Sequence, residues 1–204
     1  MKIKRFVCNA FQENAYVVSE GADCIIIDPG FTPGELPALY EYLAAENLTP
    51  TAILLTHSHP DHVCGLQALV ERFGIPVKPA LAETGAFAGE PSFGEMVKDA
   101  GEATYGFQVI ATPGHTPDSV CYYSEKGSVL FTGDTLFAGT IGRTDLPGGN
   151  YDDEIRSIME KLIFLPGETV IYPGHGPQST IARERTQNPF LEPFNEREEL
   201  EELN

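Results

Sequence analysis

Apolar residues occur along this chain in short runs, several of which are bounded by glycine, proline or aspartate. Such runs between turn-forming residues are typical of β-strands buried in a core. The predicted strands are 3–7, 15–18, 24–27, 52–55, 75–77, 107–111, 120–123, 128–131 and 169–172. Since the first three runs follow one another closely, we expect them to form a meander.

Other segments place apolar residues three and four positions apart, which is the spacing of one helix face. In the first of these segments the residues are Leu36, Leu39, Tyr40 and Leu43. The predicted helices are 36–45, 63–73, 151–164 and 180–187. Residues 80–104, which are rich in alanine, glycine and glutamate, are assigned to a helix and a loop.

The order of these elements indicates the fold class. Strands come first, then alternate with helices, then form a second meander and alternate with helices again. This order favours a mixed α/β sandwich over a doubly wound sheet. A length of 204 residues is typical of one domain, so we predict a single domain over 1–204 with an acidic, peripheral tail at 192–204.

Charge and composition exclude several classes of partner. The formal net charge is −17, which argues against nucleic acid and anionic membranes as partners. No apolar run approaches the roughly 20 residues of a membrane span, and polar residues interrupt any signal peptide after Val7. We therefore predict a cytoplasmic protein that acts on a small molecule. The four widely spaced cysteines form no CxxC pair and predict buried, reduced thiols.

The five histidines all lie in turns rich in glycine, proline or aspartate. His57, His59 and His62 fall within one short segment, whereas His115 and His175 each follow a Pro-Gly pair. Neutral imidazole together with carboxylate is the ligand set of zinc, iron and manganese. The histidine positions therefore predict a metal site.

Each of five predicted strands is followed by a residue that can bind a metal ion or support a metal ligand. These residues are Asp28, His57, His115, Asp134 and His175. Ligands of α/β proteins usually bind beyond the carboxyl ends of the strands. We therefore expect these side chains to converge on one rim of the fold.

The spacing within 57–62 predicts two neighbouring ions. Extended chain sends alternate side chains to one side, whereas a residue that begins a helix points elsewhere. The predicted ligands are His57, His59 and His115 for one ion, Asp61, His62 and His175 for the other, and Asp134 as a bridge. Two ions about 3.5–4 Å apart can share a hydroxide and clamp a hydrolytic transition state.

Asp28 is interpreted as an outer partner of this site. Its carboxylate can accept the second N–H of a ligand histidine and so set the tautomer of that ring. A plain turn role for Asp28-Pro29-Gly30 is the alternative.

The pattern His-x-His-x-Asp-His at 57–62, followed by His115, Asp134 and His175 in that order, resembles the metallo-β-lactamase superfamily. The resemblance extends over roughly residues 2–191. It implies a four-layer αβ/βα sandwich with a dinuclear site on one edge. It also implies two divalent metal ions, with zinc expected first and iron or manganese as alternatives.

Three further stretches, 131–137, 142–149 and 172–177, are similar to the short type II glyoxalases (hydroxyacylglutathione hydrolases). This similarity implies hydrolysis of a thioester such as S-D-lactoylglutathione by a hydroxide that bridges the metals. Asp61 would bind the second ion and orient the hydroxide or take its proton. Longer members carry a C-terminal helical domain for glutathione, for which this chain has no room, so the thiol half of the substrate stays open.

Alternatives remain at several positions. Arg143 is a candidate anchor for a substrate carboxylate, and an ion pair with Asp145 is the other interpretation.

The persulfide dioxygenase branch, which uses one iron, shares 142–145, but Gly176-Pro177 departs from its usual pattern and favours the hydrolase. Asp118 stands where the family typically has glycine. A lactonase or β-lactamase is possible on the same scaffold, whereas the charge disfavours a nuclease and the complete ligand set disfavours a mere scaffold protein.

Overall fold

The computed structural model describes residues 1–78 and 106–192. The helix and loop predicted at 80–104 lie outside the described residues, and so does the acidic tail beyond residue 192. The chain forms two compact units, Met1–Asp99 and Ala100–Asn204, each of which carries one main sheet. The prediction of a single domain over 1–204 stays a prediction.

The first unit contains a five-stranded sheet in the order β1-β2-β3-β4-β5. The strands are β1 Lys2–Cys8, β2 Glu13–Glu20, β3 Asp23–Ile27, β4 Thr49–Leu54 and β5 Val77–Lys78. The first three pair antiparallel, which confirms the predicted meander, and β3, β4 and β5 run parallel. Parallel strands end at the same edge, so the residues after β3 and β4 come together there.

Helix α1, Leu36–Ala45, has the predicted bounds and buries Leu36, Leu39 and Leu43 in the core of this unit. The helix predicted at 63–73 is instead two helices, α2 Pro60–Val63 and α3 Leu66–Phe73. The break falls at Gly65, whose N–H donates to Pro29 O at 2.8 Å. A Cβ there would lie 3.0 Å from that oxygen, so any larger residue would be crowded at this contact.

The second unit contains a five-stranded sheet in the order β12-β11-β8-β7-β6, beside a hairpin of β9 and β10. The strands are β6 Gln108–Ala111, β7 Val120–Ser124, β8 Val129–Gly133, β9 Leu136–Phe137, β10 Thr140–Ile141, β11 Val170–Pro173 and β12 Ser179–Thr180. Strands β8 and β11 are parallel neighbours, whereas the other pairs are antiparallel. The two-residue strands β9, β10 and β12 were not predicted because so short a segment has no periodicity.

Within residues 106–192, the second unit has the helices α4 Tyr151–Ser157 and α5 Ile181–Gln187, with a 3-10 turn at Pro189–Leu191. The predicted helix 151–164 changes after Ser157 into a π-helix, Ile158–Leu162. The apolar side chains of this segment still pack into the core of the unit, because a π segment shifts the helix register without ending it.

The four cysteines are free thiols, as predicted. Cys8, Cys24 and Cys121 are buried, and burial raises the pKa of Cys121 to about 12, which makes this thiol inert. Cys64 corrects the prediction, because it lies exposed where α2 ends.

Helices in the described part of the chain are short. None of those within residues 1–78 and 106–192 is long and apolar enough to cross a membrane.

Candidate metal centre

The turn after β4 brings the imidazoles of His57 and His59 together. His59 has φ −61° and ψ 143°, the extended conformation that the following proline favours. His57 Nε2 lies 3.1 Å from His59 Nδ1. Two nitrogen ligands of one tetrahedral zinc ion lie roughly 3.3 Å apart, since each Zn–N distance is about 2.0–2.1 Å. The spacing of these nitrogens therefore fits a shared ion.

Hydrogen bonds assign the tautomer of His57. The Thr56 hydroxyl donates to Asp28 Oδ2 at 2.6 Å, so its oxygen is left to accept from His57 Nδ1 at 3.0 Å. With the proton on Nδ1, the lone pair is on His57 Nε2. This is the nitrogen that faces His59.

Asp28 directly follows β3 and contacts His62, another histidine of the motif. Its backbone is left-handed, at φ +46°, and its buried carboxylate accepts the Thr56 N–H at 2.7 Å. His62 Nδ1 lies 3.1 Å from Asp28 Oδ2. When His62 Nδ1 donates its proton to this carboxylate, His62 Nε2 keeps its lone pair and can bind a metal ion. Asp28 thus makes the contact expected of an outer partner.

Asp61 supplies the carboxylate of the motif and is partly exposed, and its Oδ2 lies 3.9 Å from His62 Nε2. Asn9, which holds the Asp61 backbone, was not among the predicted site residues. Asn9 Nδ2 donates to the carbonyl oxygens of Asp61 and Gly30, both at 2.9 Å. Asn9 has φ +50°, which asparagine tolerates, but a lone polar residue after a strand gave no signal of this contact.

Glu35 stabilises the Asn9 turn, and the stability that it contributes should depend on pH. Burial opposes its ionisation, but donors from Thr32 and the Asn9 N–H outweigh this and lower the pKa of Glu35 below its ordinary value of 4.5. A carboxylate whose pKa is lower in the folded than in the unfolded protein stabilises the fold at pH values above its unfolded pKa. This stability is lost as the pH falls through the folded pKa. The Glu35→Gln variant should therefore unfold more easily than the wild type by about 1 kcal/mol or less at neutral pH.

The measurement is chemical unfolding of both proteins between neutral pH and about pH 3. The difference in unfolding free energy should shrink as the pH falls below about 4.5, the ordinary value. Glu41→Gln, at an exposed position of α1, serves as the control. Loss of metal in acid affects the Glu35 and Glu41 variants alike, so a difference between them does not come from the metal. A difference that does not change with pH would contradict this role of Glu35.

In the second unit, one carboxylate lies near two histidines. Asp134 Oδ2 is 3.6 Å from His115 Nε2 and 3.5 Å from His175 Nε2. Asp134 and His175 follow the parallel strands β8 and β11, and the Gly174 N–H donates to Gly133 O at 2.8 Å. Asp134 therefore contacts one histidine from each of the two predicted ligand sets.

The tautomer of His115 is set by a backbone carbonyl. His115 Nδ1 lies 2.8 Å from Arg143 O, so the proton belongs on Nδ1 and the lone pair on the nitrogen that faces Asp134. The Arg143 side chain makes a two-pronged ion pair with Asp145 at 2.7 and 2.8 Å, and this contact lowers the pKa of Asp145 to about 2. The ion-pair interpretation of Arg143 is thus confirmed as a contact, and its substrate role stays a prediction.

The predicted site residues thus form a group in each unit. The first unit brings together His57, His59, Asp61, His62 and Asp28, and the second unit brings together His115, Asp134 and His175. Imidazole nitrogens and carboxylate oxygens at these distances fit a divalent metal ion.

Comparison with known proteins gives concordant matches. The family model of the metallo-β-lactamase superfamily matches residues 8–175. The "probable metallo-hydrolase YqgX" of Bacillus subtilis is 39% identical, over 95% of this chain and 99% of that protein. The "hydroxyacylglutathione hydrolase GloC" of Haemophilus influenzae is 34% identical, over 94% of this chain and 98% of that protein. The crystal structure of TTHA1623 in a di-iron-bound form has a TM-score of 0.79 at 37% identity, over 92% of this chain and all of that chain.

These matches confirm the mixed α/β, metallo-β-lactamase fold that the resemblance implied. The names of the two relatives agree on a hydrolase, and only one of them names a substrate class.

Proposed function

The chain belongs to the metallo-β-lactamase superfamily, and we propose that it is a hydrolase that cleaves a thioester such as S-D-lactoylglutathione. The observation that carries the proposal is the position of Asp134, whose Oδ2 lies within 3.6 Å of the Nε2 atoms of both His115 and His175. A carboxylate placed in this way suits a pair of metal ions that share one ligand. The similarity to a hydroxyacylglutathione hydrolase over nearly the full length supports the thioester.

The proposed ligand sets are His57, His59 and His115 for one ion, Asp61, His62 and His175 for the other, and Asp134 for both. Family membership supports this assembly, and so do the donor atoms within each unit. When bound, two such ions lower the pKa of a shared water and polarise the carbonyl that it attacks. Zinc is our first assignment, and a structure similar to this chain that holds two iron ions keeps iron as the alternative.

The chain's own residues have distinct tasks in this reaction. Thr56 and the Arg143 carbonyl keep the protons of His57 and His115 on Nδ1, so that each ring presents its Nε2 lone pair. Asp61, which retains some exposure, orients the attacking water and accepts its proton. The leaving thiol, with an ordinary pKa near 8.5, departs as a thiolate without a general acid.

An iron dioxygenase that acts on a persulfide is the second candidate. The stretch 142–145, which includes Arg143 and its ion-pair partner Asp145, is compatible with it, because the dioxygenase branch shares this sequence with the glyoxalases. A lactonase or another ester hydrolase is a further candidate on this scaffold.

The test is a side-by-side assay of purified protein with measured metal content. We expect release of free thiol from S-D-lactoylglutathione without uptake of oxygen. Uptake of oxygen that depends on a persulfide, in protein that holds one iron per chain, would overturn the hydrolase. His57→Ala provides the inactive control, since it removes a proposed ligand.

A further inference from the structure

Glu154 is a buried acid that the proposed mechanism does not use. It lies in α4, which begins after Asn150, whose side chain accepts the Asp153 N–H. The exposed fraction of Glu154 is 0%, and burial raises its pKa to about 8 although nearby N–H groups oppose this shift. A carboxylate is costly to bury unless it makes specific contacts, so its neighbours are informative.

One oxygen of Glu154 holds the backbone of a proposed metal ligand. Glu154 Oε2 accepts the His115 N–H at 2.8 Å. The preceding residue is glycine, and a Cβ at Gly114 would collide with this oxygen and with the Glu154 backbone. The absence of a side chain at Gly114 therefore lets the His115 turn pack directly on α4.

The other oxygen faces the segment that sets the His115 tautomer. A Cβ at Gly142 would lie 2.8 Å from Glu154 Oε1 and would collide with Asp134 O. Gly142 directly precedes Arg143, whose carbonyl accepts from His115 Nδ1 at 2.8 Å. Glu154 therefore packs against both backbone segments that determine where the His115 ring points.

We propose that Glu154 is a positioning residue that holds the His115 ring in the orientation needed to bind its ion. The inference rests on the proposed role of His115 as a ligand. Glu154 acts through the His115 N–H and the 142–143 backbone, and it touches neither substrate nor ion. Outer contacts of this kind typically change metal affinity by about 10–100-fold.

The chain offers a matched control in Glu184. This glutamate is also buried in the second unit, and its carboxylate accepts from the Gly139 N–H at 2.7 Å, from Asn188 Nδ2 at 2.9 Å and from Ser179 Oγ. The contacts described for Glu184 stabilise the region around α5 and involve neither His115 nor Arg143. Shortening either glutamate to aspartate keeps the carboxyl group and withdraws it from its donors.

The experiment compares Glu154→Asp and Glu184→Asp with the wild type. Zinc affinity is measured by competition with a chelator, the geometry of the site by the visible spectrum of the cobalt-substituted protein, and stability by melting of the metal-free protein. We expect both variants to melt earlier, but only Glu154→Asp to bind zinc about tenfold or more weakly with an altered cobalt spectrum. Glu154→Gln, which keeps an oxygen for the His115 N–H, should bind zinc more tightly than Glu154→Asp.

Wild-type zinc affinity in Glu154→Asp would overturn the inference, and so would an equal loss of affinity in Glu184→Asp or a weaker affinity in Glu154→Gln than in Glu154→Asp. Failure of the thioester hydrolase would appear in the thiol-release assay and not in these affinities, whereas failure of the ligand role of His115, on which the inference rests, has its own signature. In that case His115→Ala would retain both ions with wild-type affinity, whatever the Glu154 variants do.

Discussion

Replacing Asp134 with asparagine is expected to abolish hydrolysis and to release at least one of two bound ions. The wild-type Oδ2 lies 3.6 Å from His115 Nε2 and 3.5 Å from His175 Nε2. An asparagine keeps the shape of this side chain but loses the charge, and its amide offers only one oxygen that can act as a ligand. The value of kcat/KM should fall by at least about 100-fold, since the loss of a direct ligand should cost at least as much as that of an outer contact.

Elemental analysis of the purified variant and its kinetics provide the measurement. Asp152→Asn is the matched control, because Asp152 is an exposed carboxylate in the first turn of α4. A variant at position 134 with its full complement of metal and near wild-type activity would refute the bridging role.

Replacing Asp28 with asparagine is expected to weaken metal binding by about 10–100-fold. The carboxylate receives the Thr56 N–H at 2.7 Å and the Thr56 hydroxyl at 2.6 Å, and lies 3.1 Å from His62 Nδ1. Asparagine tolerates the left-handed backbone at this position, so the fold should persist. Its NH2 group, however, faces donors that need an acceptor, and a buried unsatisfied donor costs about 1–3 kcal/mol of stability.

Chelator competition and chemical unfolding measure these two effects separately. Asp23→Asn, at an exposed position of β3, the strand that precedes Asp28, should change neither. If the position 28 variant lost stability but kept its metal affinity, Asp28 would be a turn residue only.

The local spacing of apolar residues was sufficient to predict an element whose structure depends mainly on its own residues. Residues 36–45 were predicted as a helix and form α1 with those bounds, because the apolar spacing and the core agree there. The prediction for 63–73 was wrong in detail because Gly65 packs on the loop after β3, a contact with residues more than thirty positions away. The π segment after Ser157 likewise reflects packing, since the same apolar stripe suits either kind of helix.

The sequence by itself determined the chemistry of the candidate site, because the spacing of His57, His59, Asp61 and His62 is local and selects metal-type ligands. Only the tertiary structure decided how the rings are held. The contacts of Asp28 with His62, of Arg143 O with His115 and of Glu154 with the His115 N–H each join residues far apart along the chain. The residue pattern predicted Asp28 as an outer partner without saying which ring it holds, and it did not indicate the contacts of Arg143 O and Glu154, because such contacts arise only when separate strands and helices bring their ends together.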